Sequence, residues 1–185
     1  MLLLLGVVAG LVCGLFVGGR LANLGQITVR LSGVIFAALV VQIVIFSELP
    51  QEVLWLLDAA PALYIASLLV VVGVLWLNRS LPGVRLLLVG SLLNAIVITA
   101  NAGQMPRHEP LSPEPAPGIV RGPFTNTRGI DANTRLVQLG DILELPFRPG
   151  YFFSAGDIAI AVGAGWFVVG AMRNRRFQAV EVTRR

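Results

Sequence analysis

Lysine is absent from this 185-residue chain, so all fourteen basic residues are arginines. Charge of either sign is scarce as well. Charged residues make up 13% of the sequence and apolar ones 56%, against roughly 25% and 45–50% in soluble domains. That leaves too little polar material to cover a soluble globule. With a mean hydropathy of +0.81, the composition predicts an integral membrane protein. A single cysteine, Cys13, excludes an internal disulfide and any cysteine-built zinc or iron–sulfur site. A single histidine, His108, excludes multi-histidine ligation of a metal or haem within the chain. No metal and no cofactor is expected. The net charge of +4 does not point to nucleic acid, because no basic surface with interleaved aromatics is present outside the apolar runs.

What the chain has instead is five apolar runs, at 2–18, 31–46, 59–77, 84–100 and 156–172. Each is near the ~20 residues that cross a hydrocarbon core. No arginine precedes the first run and no Ala-x-Ala follows it, so it does not read as a cleaved signal. Leu11 and Val12 before Cys13 also fail the small-residue requirement of a lipoprotein signal. The expected fold is an all-α integral membrane protein, a single transmembrane domain over 1–185 built as a five-helix bundle. One long extracytoplasmic loop, 101–153, joins the fourth and fifth helices, and a basic cytoplasmic tail occupies 173–185.

Arginine placement orients this bundle. Arg20, Arg30, Arg79, Arg85, Arg173, Arg175, Arg176, Arg184 and Arg185 fall on one side, with Glu181 the only acid there. The positive-inside rule puts that side in the cytoplasm of a bacterial inner membrane, with the N-terminus outside. The tail then faces anionic lipid. The long loop holds eight of the eleven prolines, and 106–123 reads as extended chain. Further on, Asp131 can cap a short surface helix through Leu136, Val137 and Leu139 that Gly140 ends. Tyr151, Phe152 and Phe153 suit headgroup level.

Several residues interrupt the apolar pattern. Gly6, Gly10, Gly14 and Gly18 recur every fourth residue and line one helix face, which lets another backbone approach, within the bundle or from another subunit. Ser91, Asn94 and Asn101 share a stripe of the fourth span, while Gln42 and Ser67 lie inside the second and third. Amides in hydrocarbon need partners, so these residues serve as interhelical glue or line a polar pocket. Ser154-x-x-Asp157 fits a capping box at the start of the last span. Asp157 is also an ionisable group at a membrane boundary, and Asp141 precedes it by sixteen residues on the same side. Two close carboxylates resist ionising together, so one holds a proton while the other activates water. His108 reads as a solvated side chain and Cys13 as a packing residue.

Two resemblances follow. Asn101-Ala102-Gly103-Gln104-Met105-Pro106, with Leu139-Gly140-Asp141 and Phe153-Ser154-Ala155-Gly156-Asp157, resembles a bacterial multi-pass membrane family of unknown function. That likeness covers nearly the whole chain and implies no activity. In the C-terminal half, Phe153-Ser154-Ala155-Gly156-Asp157 is similar to the Phe-Asn-x-Ala-Asp segment of lipoprotein signal peptidase, a four-helix aspartic peptidase. The resemblance implies Asp157 and Asp141 as its catalytic pair. The peptidase's Gly-Asn-x-x-Asp-Arg motif is not found; Gly90 and Asn94 are its nearest counterparts. The leading expectation is a non-catalytic accessory, assembly or lipid-binding protein, with membrane lipids and, through the glycine face, other membrane subunits as partners. The alternative is a membrane-embedded aspartate-dyad hydrolase using Asp141 and Asp157, its site lined by Asn94, Asn101 and Ser154. Five spans offer no inverted repeat for a transporter.

Overall fold

The computed structural model describes residues 1–108 and 124–173. The core of the proline run and all but the first residue of the basic tail lie outside the described residues. Each apolar run becomes a helix: α1 (Leu2–Phe16), α2 (Ser32–Ile45), then a one-turn α3 (Leu49–Glu52), α4 (Leu54–Leu77), α5 (Val84–Ala100) and α6 (Ala155–Met172). Of these, α4 and α6 are long and apolar enough to cross a membrane; α1, α2 and α5 are shorter apolar helices. Apolar side chains cover their outer faces, with Phe16 86%, Phe36 68% and Trp55 69% exposed.

The long helices stand side by side in the order α2–α4–α5–α6–α1. Small residues set the spacing on both sides of α6. A Cβ added to Gly10 would lie 2.6 Å from the Gly165 carbonyl oxygen, and one added to Gly6 would strike the backbone of Ala161. One added to Gly163 would lie 2.6 Å from the Leu87 amide nitrogen, across the α5 seam. The backbones touch, and only glycine permits that approach. The α1 glycine face is thus filled by α6 of the same chain through Gly6, Gly10 and Gly14, the last against the Met172 side chain. Gly18 departs from the expected packing. It faces open space and takes φ +76, so it serves the left-handed turn that ends the helix.

The matched pairs along α1 and α6 rise together, whereas α5 runs against α6 and α2 against α4. Chain direction therefore alternates along the sequence, and Arg20, Arg30, Arg79, Arg85 and Arg173 gather at one end of the row. The segment after α1, with a 3-10 helix at Leu21–Gln26, closes that end. Asn23 Nδ2 and the Arg20 amide both donate to the Met172 carbonyl, at 2.7 and 3.0 Å. Asn78, at the end of α4, accepts from the Arg30 amide and donates to the Arg30 and Val74 carbonyls. These bonds hold Leu31 at φ 57, a conformation costly for a non-glycine residue. Between α2 and α4, Gln42 donates to Ser67 at 2.9 Å, the contact expected of polar glue.

The opposite, loop end corrects the expected all-α fold, because it is not helical throughout. It carries two small sheets: parallel β1 (Met105–Arg107) with β2 (Thr127–Gly129), and antiparallel β3 (Leu143–Leu145) with β4 (Arg148–Phe153). Three of these strands have three residues, too few to show a period of two. Tyr151, Phe152 and Phe153 belong to β4 instead of a loose surface segment, and Phe152 is buried. The expected surface helix shrinks to a 3-10 turn at Val137–Leu139, ended by Gly140 as anticipated. Asp131 does not cap it. The Asp131 carboxylate accepts from the Asn133 amide and pairs with Arg128, closing a local turn. Under this end lies an apolar cluster of Ile45, Ala60, Tyr64, Val97, Ile98 and Met105. Phe46 and Phe124 pack on it, their rings stacked at 5.7 Å.

Candidate functional site at the loop end

The first half of the site is the start of α6. The capping box read from the sequence is complete: Ser154 Oγ accepts from the Asp157 amide at 3.0 Å, and Asp157 Oδ2 accepts from the Ser154 amide at 3.2 Å. Asn94 on α5 joins it. Its Nδ2 donates to Asp157 Oδ1 at 2.9 Å, and its Oδ1 accepts from Ser154 Oγ at 3.0 Å. The three side chains form a closed ring, with Ser154 fully buried. Gly156 makes room for it, since a Cβ there would collide with Asn94 Oδ1.

The second half comes from the loop. Asp141 is bridged to Arg107: its amide donates to the Pro106 carbonyl at 2.8 Å, and its carbonyl accepts from the His108 amide at 3.0 Å. Gly140 permits this closeness, because a Cβ on it would lie 2.6 Å from the Pro106 oxygen. Burial pushes the Asp141 carboxyl up to about 7; the Asp157 charge pushes it the same way, and the Arg107 charge opposes both. The two aspartates are thus near enough to act on each other, although they stand on different elements. Asp141 Oδ1 is buried with no hydrogen-bond partner, and so is Arg107 Nε. Leaving such atoms unpaired costs about 1–3 kcal/mol each.

Two residues that the sequence reading did not single out belong to this cluster. Arg107 is held by Nη2 donating to the Gly150 carbonyl at 2.7 Å, with its guanidinium 5.6 Å from the centre of the Phe152 ring. Tyr64 reaches up from α4, with its ring edge-on to Phe46 at 5.0 Å, and feels the charge of both aspartates. Its signal was a polar-tipped aromatic in an otherwise aliphatic run, which composition alone does not distinguish from a packing residue. Arg107 had a weaker one, a cation just beyond the Asn101–Pro106 run.

Asn101 is placed differently from Asn94. It ends α5, donates to the Val97 and Arg135 carbonyls at 2.8 and 2.9 Å, and accepts from the Arg135 amide at 2.9 Å. Its amide is committed to backbone groups and holds Leu136 at φ 53. His108 is exposed, its ring edge-on to Phe152 at 5.9 Å. Among the described residues no group of three His, Cys, Asp or Glu side chains could hold a metal ion.

The fold and site define a helical protein whose loop end gathers two interacting carboxyls, an arginine, an asparagine and a tyrosine. The chain belongs to a family of unknown function (DUF5317), whose model matches residues 26–169. The matched stretch contains every residue of this cluster, and α1 lies before it. No curated protein and no solved structure matches the chain.

Proposed function

We propose that the chain is a five-span protein of a bacterial cytoplasmic membrane, with its N-terminus and loop end outside, and that the loop end is the site of an aspartate-pair hydrolase. Support for the membrane setting comes from alternating helix direction, apolar outer faces and the gathering of Arg20, Arg30, Arg79, Arg85 and Arg173 at the short-loop end. Trp55 and Trp76 stand at the two ends of α4, about 31 Å apart at ~1.5 Å per residue, close to the thickness of a hydrocarbon core. Arg79 lies over the Trp76 ring at 4.4 Å, an arrangement suited to the inner headgroup layer. Cysteines at Asn133 and Ser80, in a Cys13→Ser background, test the orientation with an impermeant thiol reagent on intact cells. Label at position 133 and not at 80 is expected; the reverse pattern overturns it.

One observation carries the hydrolase reading: Asp141 is a near-neutral carboxyl with a free buried oxygen, beside a second carboxylate fixed in place. As a carboxylate, Asp141 takes a proton from water while the water oxygen bonds to a substrate carbonyl carbon. The carbonyl π pair moves onto its oxygen. On collapse the bond to the leaving group breaks, and that group takes the proton back from Asp141, so water is divided between the two products. Asp141→Asn is expected to abolish a set of extracytoplasmic cleavages, and Asp157→Asn to weaken the same set, read by comparing protein N-termini and released lipids of cells carrying each variant. Cleavage patterns that match wild type with folded variants sink the hydrolase. A second reading, a non-catalytic accessory or assembly protein, is favoured by the Ser154–Asn94–Asp157 ring, which satisfies both Asp157 oxygens without any chemistry. It predicts that unchanged pattern.

A further inference from the structure

Arg107 and Asp141 are bridge partners on adjacent stretches of backbone, and their charges act on each other. Even so, among the described residues the ion pair that forms is Arg128–Asp131, and none joins Arg107 to Asp141. The guanidinium is turned by its bond to Gly150 and its place over Phe152, leaving Nε directed to nothing in the protein. Asp141 Oδ1 is in the same condition. One is a donor and the other an acceptor, and both are buried. A single water or hydroxyl group placed between them would satisfy both, and buried polar atoms in proteins are commonly satisfied by ordered water.

We propose that Arg107 Nε and Asp141 Oδ1 hold one water molecule between them, and that this is the attacking water of the hydrolase proposed above. The assignment divides the roles of the pair. Asp157 already has both oxygens occupied, by Asn94 and by the Ser154 amide, so it is a fixed charge and helix cap. Asp141 is the base. Arg107 orients the water through Nε and, as a cation, favours the ionised form of Asp141. Tyr64 and Asp157 are the other ionisable groups acting on this position, and His108 adjoins Arg107 with its ring toward Phe152. The water thus sits on the Arg107 side of Asp141 and not between the two aspartates.

Infrared difference spectra of the reconstituted protein, taken between acid and alkaline buffer in ordinary and oxygen-18 water, read this site without any substrate. Wild type is expected to give an isotope-shifted O–H band that appears or disappears as Asp141 ionises. Arg107→Lys retains a cation but has no donor at the Nε position, and should lose the band while keeping Asp141 titration near that of wild type. Arg107→Met should lose the band and move the titration to higher pH. Asp157→Asn should keep the band and move the titration to lower pH. An unshifted band in Arg107→Lys, its loss in Asp157→Asn alone, or no isotope-sensitive band in wild type overturns the assignment. The hydrolase reading is judged separately, by the cleavage patterns of the two aspartate variants, so either can fail while the other stands.

Discussion

Asn78 and Asn101 occupy corresponding places at opposite ends of the molecule. Each ends a helix, each donates to the carbonyl four residues back, and each grips both backbone groups of an arginine, Arg30 or Arg135. In both cases the next residue is a leucine forced to positive φ, Leu31 or Leu136. One clamp is thus used twice, and the ends differ in what surrounds it. Beside Asn78 lies a small apolar cavity of about 180 Å³, lined by side chains such as Val29, Val74, Leu81 and Phe167. At the end that holds Asn101 the chain also carries Arg107, Asp141 and Asp157 and leaves buried atoms of the first two unpaired. The clamp by itself is therefore a device of folding, and the chemistry at the loop end resides in residues the clamp does not use.

The largest effect should come from breaking the seam on which both ends depend. Gly10→Ile forces α1 away from Gly165 and should cost about 3 kcal/mol or more, enough to lower the melting temperature in detergent sharply. Val12→Ile, on the exposed face of α1, should change nothing measurable. Equal behaviour of the two variants would mean that the seam does not unite the ends.

Next, Asn78→Ala and Asn101→Ala each remove three hydrogen bonds and the restraint on a strained leucine. Each should destabilise by about 2–4 kcal/mol. Thermal melts that differ widely between the two would break the equivalence of the two clamps.

Protonation separates the ends more finely. The Asp141 carboxyl is raised to about 7, so between its ordinary value, near 4, and 7 the folded protein binds more protons than the unfolded chain. Its contribution to stability is then fully present in acid and is lost as pH rises through about 7. Asp141→Asn should remove that slope and stabilise the protein in alkaline buffer by about 1–3 kcal/mol, allowing for partial exposure of the group. Hydrolysis by wild type should rise with pH through the same window as the base form appears. A flat difference between wild type and variant, measured by detergent melts across pH, would remove the special status of the loop end. The smallest effect is expected from Leu31→Gly and Leu136→Gly, which relieve positive φ and should each stabilise by about 0.5–1 kcal/mol. Opposite signs in those melts would show that the two leucines are held for different reasons.

Much of this was legible in the residues, for reasons that are local. The five apolar helices followed from the apolar runs, although α4 starts at Leu54, five residues ahead of its run, and the capping box at Ser154 and Asp157 followed from spacing alone, because both depend on neighbours within a turn or two. The pairing of Gln42 with Ser67 was foreseeable because an amide inside an apolar helix must find a partner. Asn94 and Asn101 looked alike on their stripe, yet one serves the carboxylate ring and the other a backbone clamp. Their difference depends on what the loop brings to each, which no helical period encodes. Gly18 matched the spacing of Gly6, Gly10 and Gly14 and still served a turn, since spacing does not register where a helix ends.

Sequence alone determined that five apolar helices form, that Arg20, Arg30, Arg79, Arg85 and Arg173 fall at one end of them, and that Asp157 caps the last helix. These properties arise from composition and from contacts within a few residues. Tertiary structure decided that α1 packs its glycines on α6 of the same chain, that α1 and α2 stand at opposite edges of the row, and that Asp141 is bridged to Arg107 and feels the charge of Asp157. Those outcomes depend on backbones meeting across long stretches of chain, where glycine, asparagine clamps and two short sheets set the distances. A carboxyl becomes a near-neutral acid only when folding strips it of water and sets another charge beside it, so the character of Asp141 exists in the folded molecule alone.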